Sequence, residues 1–494
     1  MRPHPLGVLP EGNRYLVSSS DASRSDDARR RGLGALATLP DALVLRCLGG
    51  DCDDGESHGV GGEALAAFAR CSRACRAFAA HEDLWKQCVL RKHGGDFAFA
   101  GRSWRETYAA AAGGVVVESS RDDDDDDDDD DAAAASDAEV ARAAPSSARA
   151  DRPPLFSDAL YFRHVSARFP IDERWISRDT IPRRARGALS PEAFARDFEA
   201  RNAPVIIAGL CADWPAVRDA RWSREAMSSD KRWADAKFTV GGYEMRLRDF
   251  WRYVDGSRDD LPMYLFDKRF AEKAPGLAKD YAPPPHFSDD LFALLGEDGR
   301  PDYRWLIAGG ARSGSGFHVD PNGTSAWNAV VSGRKKWIMF NPDVLPPGVH
   351  PSEDGTTVTQ PVTIIEWYMN FYDHVYEDEG DGESEDSDDD SDDDDDDDQK
   401  ETAKKRRKVS SPPSSRKNSY HGKVFEGICD PGDVLFVPSG WWHCALNLEE
   451  TVAVTQNFCS PRTLPRVLRF LDRAKARPVH WSPYDRVRVA HAVP

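Results

Sequence analysis

From about residue 155 to about 475 the chain breaks into short runs of β-branched and aromatic residues, each closed by glycine or proline. "APVIIAGL", "PMYLFD", "YRWLIAGG", "SAWNAVVSG", "KKWIMF", "DVLFVPSG" and "ETVAVTQNF" are the clearest. Runs this short, bounded by turn residues, read as strands. Many of them in succession bury their apolar faces by packing sheet on sheet or by closing into a barrel.

The rest of the chain has a different character. Residues 1–35 are polar and are expected to be disordered. Residues 36–112 read as a small all-helical domain, with Pro40 near the start of "LATLPDALVLRCL" and a second helix carrying Leu84 and Trp85. Residues 113–154 are an aspartate- and alanine-rich linker. A segment at 376–420, acidic and then basic, interrupts the strand pattern as an insertion too polar to bury a core. Residues 476–494 form a tail.

Those acidic tracts decide how the charge is read. The formal charge is −19, from 84 acids against 65 Lys+Arg, but residues 122–131 and 377–398 alone hold 27 of the acids. The remainder carries about +8, which suits basic or nucleic-acid partners without choosing between them. Nine cysteines, with no CxxC pair, argue against a disulfide framework or a zinc site. The chain shows no apolar run of membrane-spanning length, so no membrane association is expected.

One stretch, "GSGFHVDPNGTSAWNAVVSGRKKW", carries chemistry. In a strand, residues two apart share a face, so His318 and Asp320 point the same way. Two histidines and one carboxylate form the facial triad of non-haem iron sites, and the best third ligand is His443 in "PGDVLFVPSGWWHCALNL". Taken singly, His-x-Asp followed by proline is also ordinary turn chemistry, and His443 beside two tryptophans is also an ordinary core histidine. The basic pair Lys335–Lys336 offers a cation for an anionic cosubstrate. Strand parity alone does not choose between the two lysines.

With these residues in place, the region from 155 to 475 resembles the JmjC-domain 2-oxoglutarate oxygenases. It is most similar to the nuclear lysyl hydroxylase and arginine demethylase subgroup once called phosphatidylserine receptors. "DDLPMYLFD", "FSDDLF", "YRWLIAGGARSGSGFHVDPNGTSAWNAVVSGRKKW" and "PGDVLFVPSGWWHCALNLEETVAVTQNF" carry the resemblance. It implies an α+β fold: a double-stranded β-helix, the jelly-roll barrel of cupins, with flanking helices. His318, Asp320 and His443 match the iron ligands. Lys335 matches the lysine for the distal carboxylate of 2-oxoglutarate, and Asn328, Thr455, Tyr264 and Ser315 match polar positions of that pocket. Implied are Fe(II), 2-oxoglutarate and dioxygen, with ascorbate as reductant. The implied activity is hydroxylation of protein side chains, lysyl hydroxylation first and N-methyl demethylation second.

The N-terminal helices resemble an F-box through Leu39-Pro40, Leu43/Val44/Leu45, Cys75-Arg76 and Leu84-Trp85. That implies a Skp-type ubiquitin-ligase adaptor as partner, the other reading being a helical cap for the barrel. "KKRRK" at 404–408 reads as a nuclear localisation signal, hence a nuclear enzyme with a basic protein substrate. An RNA-modifying oxygenase is a further alternative, favoured by the basic body.

Overall fold

The computed structural model describes residues 4–10, 28–50, 59–111, 155–352, 358–360, 362–376 and 420–473. The linker, most of the insertion, the basic run at 404–408 and the C-terminal tail lie outside them.

Thirteen strands build the barrel: β1 (Arg183–Ala185), β2 (Val205–Ala208), β3 (Lys237–Val240), β4 (Tyr243–Arg246), β5 (Leu265–Asp267), β6 (Arg304–Gly309), β7 (Gly314–His318), β8 (Ser325–Ser332), β9 (Lys335–Phe340), β10 (Val424–Cys429), β11 (Val434–Val437), β12 (Trp442–Asn447) and β13 (Thr451–Phe458). The larger sheet runs β1-β2-β11-β8-β13-β6-β5-β3-β4 and the smaller one β10-β9-β12-β7. From β6 onward the chain crosses back and forth between the two sheets, which is the jelly-roll barrel. β8 and β9 are buried along nearly their whole length, as strands covered on both faces must be.

The two faces of the small sheet bury different cores. Trp337, Met339 and Ala445 look into the barrel with Leu435 and Val437 of the large sheet. Ile338, Phe340, Cys444 and Leu446 look outward against a long helix at Ile364–Tyr376, whose Trp367, Tyr368 and Tyr372 cover them. Alternation along β9 therefore sends its first two residues, Lys335 and Lys336, to opposite sides of the sheet.

The described N-terminal unit contains the helices α1 (Asp41–Gly49), α2 (Gly62–Ala69), α3 (Arg73–Ala79), α4 (Glu82–His93) and α5 (Trp104–Ala111). Pro40 stands at the N-cap of α1, and Gly50, with a φ of 75°, turns its C-terminus and donates to Arg46 O. α3 starts at Ser72, whose hydroxyl accepts from Cys75 N. The core of this unit is continuous with that of the barrel. The joint is polar as well. Asp259 accepts from Lys86 Nζ at 2.8 Å, Trp104 Nε1 at 2.7 Å and Tyr253 Oη at 2.7 Å. Arg163 bridges Asp83 and its neighbour Asp260. Such packing joins the helical unit to the barrel through one core, in which Leu84 and Trp85 are buried. No disulfide links the described cysteines, and no single described helix is long and apolar enough to cross a membrane.

Glu82 accepts from Trp104 N at 2.5 Å within this joint. Burial pushes its carboxyl up to about 7, against the Trp104 N–H, while Asp259, Asp83 and Glu106 push it further up. A raised carboxyl contributes stability that is present below its ordinary value and lost as pH rises through 7. Glu82→Gln is therefore expected to raise stability at pH 8 by about 1–3 kcal/mol and to change it little near pH 5, measured by denaturant titration.

Candidate metal and cosubstrate site

β7 ends at His318, and Asp320 lies two residues beyond it, at the start of a tight turn over Pro321–Gly323. The expectation that both sit on one strand is corrected here. Pro321 restricts Asp320 to an extended conformation (φ −58°, ψ 141°) and begins the turn, so the carboxylate is aimed by the turn rather than by strand parity. Asn322, at φ 58°, and Gly323, at φ 65°, complete the reversal into β8.

His443 is the second residue of β12, directly opposite His318 in the ladder. Their rings lie 4.2 Å apart between centroids. One donor atom from each of His318, Asp320 and His443 lies within 4.8 Å of the others. Bonds of about 2.1 Å to one ion would draw them together.

Both imidazoles are held by main-chain carbonyls two residues earlier in the chain. Nδ1 of His318 donates to Gly316 O at 2.8 Å, and Nδ1 of His443 donates to Trp441 O at 3.0 Å. A carbonyl only accepts, so each Nδ1 carries the proton and each Nε2 presents its lone pair. Burial lowers both rings to about 4, with His443 adding to the effect on His318 and Asp320 opposing it. Both rings are therefore neutral at neutral pH. Burial raises the Asp320 carboxyl, opposed by His318 and by a hydrogen bond from Asn457. Its Oδ2 has no hydrogen-bond partner among the described residues. Two neutral imidazoles and an under-satisfied carboxylate fit a divalent cation, whose charge would favour the ionised carboxylate.

Lys335 is 1% exposed, and its ammonium donates to Tyr264 Oη at 2.8 Å. It lies over the Tyr264 and Trp337 rings, 5.5 and 5.8 Å from their centroids. Burial pulls the amine down to about 7, against the pull of Cys429. Lys336 has the opposite fate. It pairs with Glu426 at 2.6 Å, both fully buried, and donates to Arg178 O. The ambiguity between the lysines is thus resolved by geometry. One is neutralised on the outer face, and the other is left in the barrel with a phenol for company. A buried cation in that state fits an anionic cosubstrate.

The remaining positions fall around it. Asn328 and Thr455 face each other across β8 and β13. Asn328 Oδ1 is buried without a partner, while the Thr455 hydroxyl donates to Trp327 O. Ser315 is separated from His318 by three positions, a spacing that alternation would put on opposite faces. The ladder is irregular there: three steps on β7 match two on β12, pairing Ser315 with Ala445 and His318 with His443. The bulge brings Ser315 round to the face that carries His318. Sequence reasoning passed over Asn457 and Trp337. Asn457 lies two residues after Thr455 and Trp337 two after Lys335, so alternation was the signal for both. Asn457 Nδ2 donates to Thr324 Oγ1, and the indole N–H of Trp337 has no partner among the described residues.

Comparison with known proteins gives the chain's relatives. Residues 191–463 match the family model described as a cupin-like domain. The arginine-specific demethylase JMJ22 of Arabidopsis thaliana is 39% identical over 480 residues, covering 97% of this chain and 78% of that protein. The bifunctional arginine demethylase and lysyl-hydroxylase psr-1 of Caenorhabditis elegans is 34% identical, over 62% of this chain and 68% of its own length. The 2-oxoglutarate and iron-dependent oxygenase JMJD4 of Homo sapiens is 25% identical over 58% of this chain and 63% of its own. None of these three names supports an adaptor or an RNA partner.

An amine held near 7 must be protonated to receive a carboxylate. Affinity for 2-oxoglutarate is therefore expected to fall as pH rises above 7, by up to about tenfold per unit. Calorimetry between pH 6 and 9 checks this. Lys335→Met is expected to weaken binding by about a hundredfold and to flatten that profile.

Proposed function

This chain belongs to the cupin-like JmjC family of iron- and 2-oxoglutarate-dependent oxygenases, and from that premise we propose that it oxidises C–H bonds on basic side chains of proteins. The observation that supports the reading most directly is the His318, Asp320 and His443 cluster beside a buried Lys335 that has no carboxylate within ion-pair distance among the described residues. In this reading the three cluster residues hold the ferrous ion and Lys335 holds the far carboxylate of 2-oxoglutarate. Bound iron, with 2-oxoglutarate and dioxygen, supplies a two-electron oxidation that inserts oxygen into a C–H bond and releases succinate and carbon dioxide.

The protein's own residues supply the arrangement. Gly316 O and Trp441 O fix the imidazole tautomers. Asn457 steadies Asp320, and Tyr264 orients the Lys335 ammonium. The apolar lining of Trp337, Met339 and Ala445 keeps water from the pocket. Lysyl hydroxylation and N-methyl-arginine demethylation are then two outcomes of one insertion. Oxygen placed on a side-chain carbon that bears no nitrogen stays. Placed on an N-methyl carbon, it gives a carbinolamine that collapses to N–H and formaldehyde. The relatives carry both activities in their names, so both target classes belong in the test.

The full chain with Fe(II), ascorbate and 2-oxoglutarate is expected to give a +16 shift on lysine-rich peptides or a −14 shift on methyl-arginine peptides by mass spectrometry. Succinate should form in step, and His318→Ala should do neither. Consumption of 2-oxoglutarate equal to that of His318→Ala across both peptide sets would sink the reading. We place the enzyme in the nucleus on the strength of Lys404–Lys408. Replacing these five residues by alanine is expected to move a fluorescent fusion out of the nucleus.

A further inference from the structure

β7 is an outer strand of the small sheet, so no described strand pairs with its outer edge. One of its amides, Phe317 N–H, donates to Gln360 Oε1 at 2.8 Å. The carbonyl of the same peptide unit, Gly316 O, accepts from Nδ1 of His318 at 2.8 Å. Opposite ends of a single amide are thus engaged, one by the Gln360 side chain and the other by a residue of the metal cluster. Hydrogen bonds joined through one amide polarise each other, so an acceptor on the N–H strengthens the carbonyl as an acceptor.

The surroundings are shaped for this contact. A Cβ on residue 316 would lie 2.7 Å from Gln360 Oε1, so glycine is what lets the amide come close. Gln360 directly follows the short ladder that pairs His350–Pro351 with Val358–Thr359. On the outer face of the sheet, the Phe317 ring is packed against Trp367 at 4.6 Å and Phe340 at 5.5 Å between centroids. The peptide is gripped on both sides.

We propose that Gln360 is a positioning residue for His318: it acts through the 316–317 peptide to hold the imidazole with Nε2 toward the metal. The inference rests on the reading of His318 as an iron ligand. Partners one shell out from metal-ligating histidines ordinarily govern affinity by tenfold or more, and a partner one link further acts more weakly.

The test uses Mn(II) alone as the probe, titrated by calorimetry into the full-length chain. It is run alongside peptide-level amide exchange over residues 314–318 and the thermal midpoint of the metal-free protein. Gln360→Ala and Gly316→Ala are each expected to lower Mn(II) affinity about three- to tenfold and to speed exchange in that peptide. Together they should lower affinity no further than either alone, since both break one relay. Gln360→Glu, which keeps an acceptor for the amide, should stay within about twofold of the native affinity. Native affinity in Gln360→Ala with accelerated exchange would overturn the proposal, because the bond would then exist without steering the ligand. Equal losses in Gln360→Ala and Gln360→Glu, matched by a lower thermal midpoint, would also overturn it by showing only a structural role. Should Gln360→Ala not fold, the contrast between Gly316→Ala and Gln360→Glu decides alone. If the native chain has no Mn(II) site that His318→Ala removes, the functional reading itself falls.

Discussion

A lysine ammonium enclosed in an apolar barrel, with a phenol as its hydrogen-bond partner, is the interaction on which the pocket depends. Removing a cation from water costs several kcal/mol, and a single neutral hydrogen bond offsets little of that. The chain accepts this cost at Lys335 and avoids it one residue later, where Lys336 meets Glu426. Glu426 also accepts from Tyr372 and Tyr376, so the outer ion pair is well satisfied and holds β9, β10 and the covering helix together. Because the outer lysine is anchored, alternation along β9 keeps the inner one in the barrel. The asymmetry between neighbours leaves a buried cation without a counter-ion among the described residues, and a dicarboxylate would meet it.

The metal cluster follows a related logic, in which ligands are aimed by the backbone. Each histidine donates to a carbonyl two residues earlier, which fixes the tautomer without a second charged group. An aspartate in that place would have made the imidazoles more basic and the site more anionic. With carbonyls instead, Asp320 supplies the single negative charge. Its direction is set by the proline turn, and its remaining oxygen is left open. The bulge between Ser315 and His318 adds what plain alternation cannot, two inward positions three residues apart.

This divides what could be read in the sequence from what could not. The strand runs and the spacing of His318 and Asp320 follow from local pattern, because periodicity two and turn residues are local properties, whereas Lys335 was preferred to Lys336 by resemblance and not by parity. The face shared by Trp337 with Lys335, and by Asn457 with Thr455, was open to the same argument. Ser315 was reached by resemblance alone, since a bulge breaks parity and leaves no mark in composition. The contact from Gln360 to Phe317 spans 43 positions and joins a side chain to a backbone amide. No pattern in either stretch points to the other. The helical unit was legible as helices, through Pro40 and the apolar stripes that carry Leu84 and Trp85, but its attachment was not. Lys86, Trp104 and Asp259 meet across more than 150 positions.

That attachment bears on the pocket. "DDLPMY", residues 259–264, carries both the joint and a pocket contact within six positions. Asp259 and Asp260 hold the helical unit and Arg163, Met263 N donates to Tyr253 Oη, and Tyr264 Oη accepts from Lys335. Tyr253 serves both ends, donating to Asp259 and accepting from Met263 N. Six residues pinned at their start by two buried carboxylates and at their centre by a buried hydroxyl have little freedom left at their end. The phenol that meets the Lys335 ammonium therefore owes its place partly to helices whose contacts with this segment span more than 150 positions. In this fold the helical unit and the Lys335 pocket are joined by one short segment in which both buried acids have a donor.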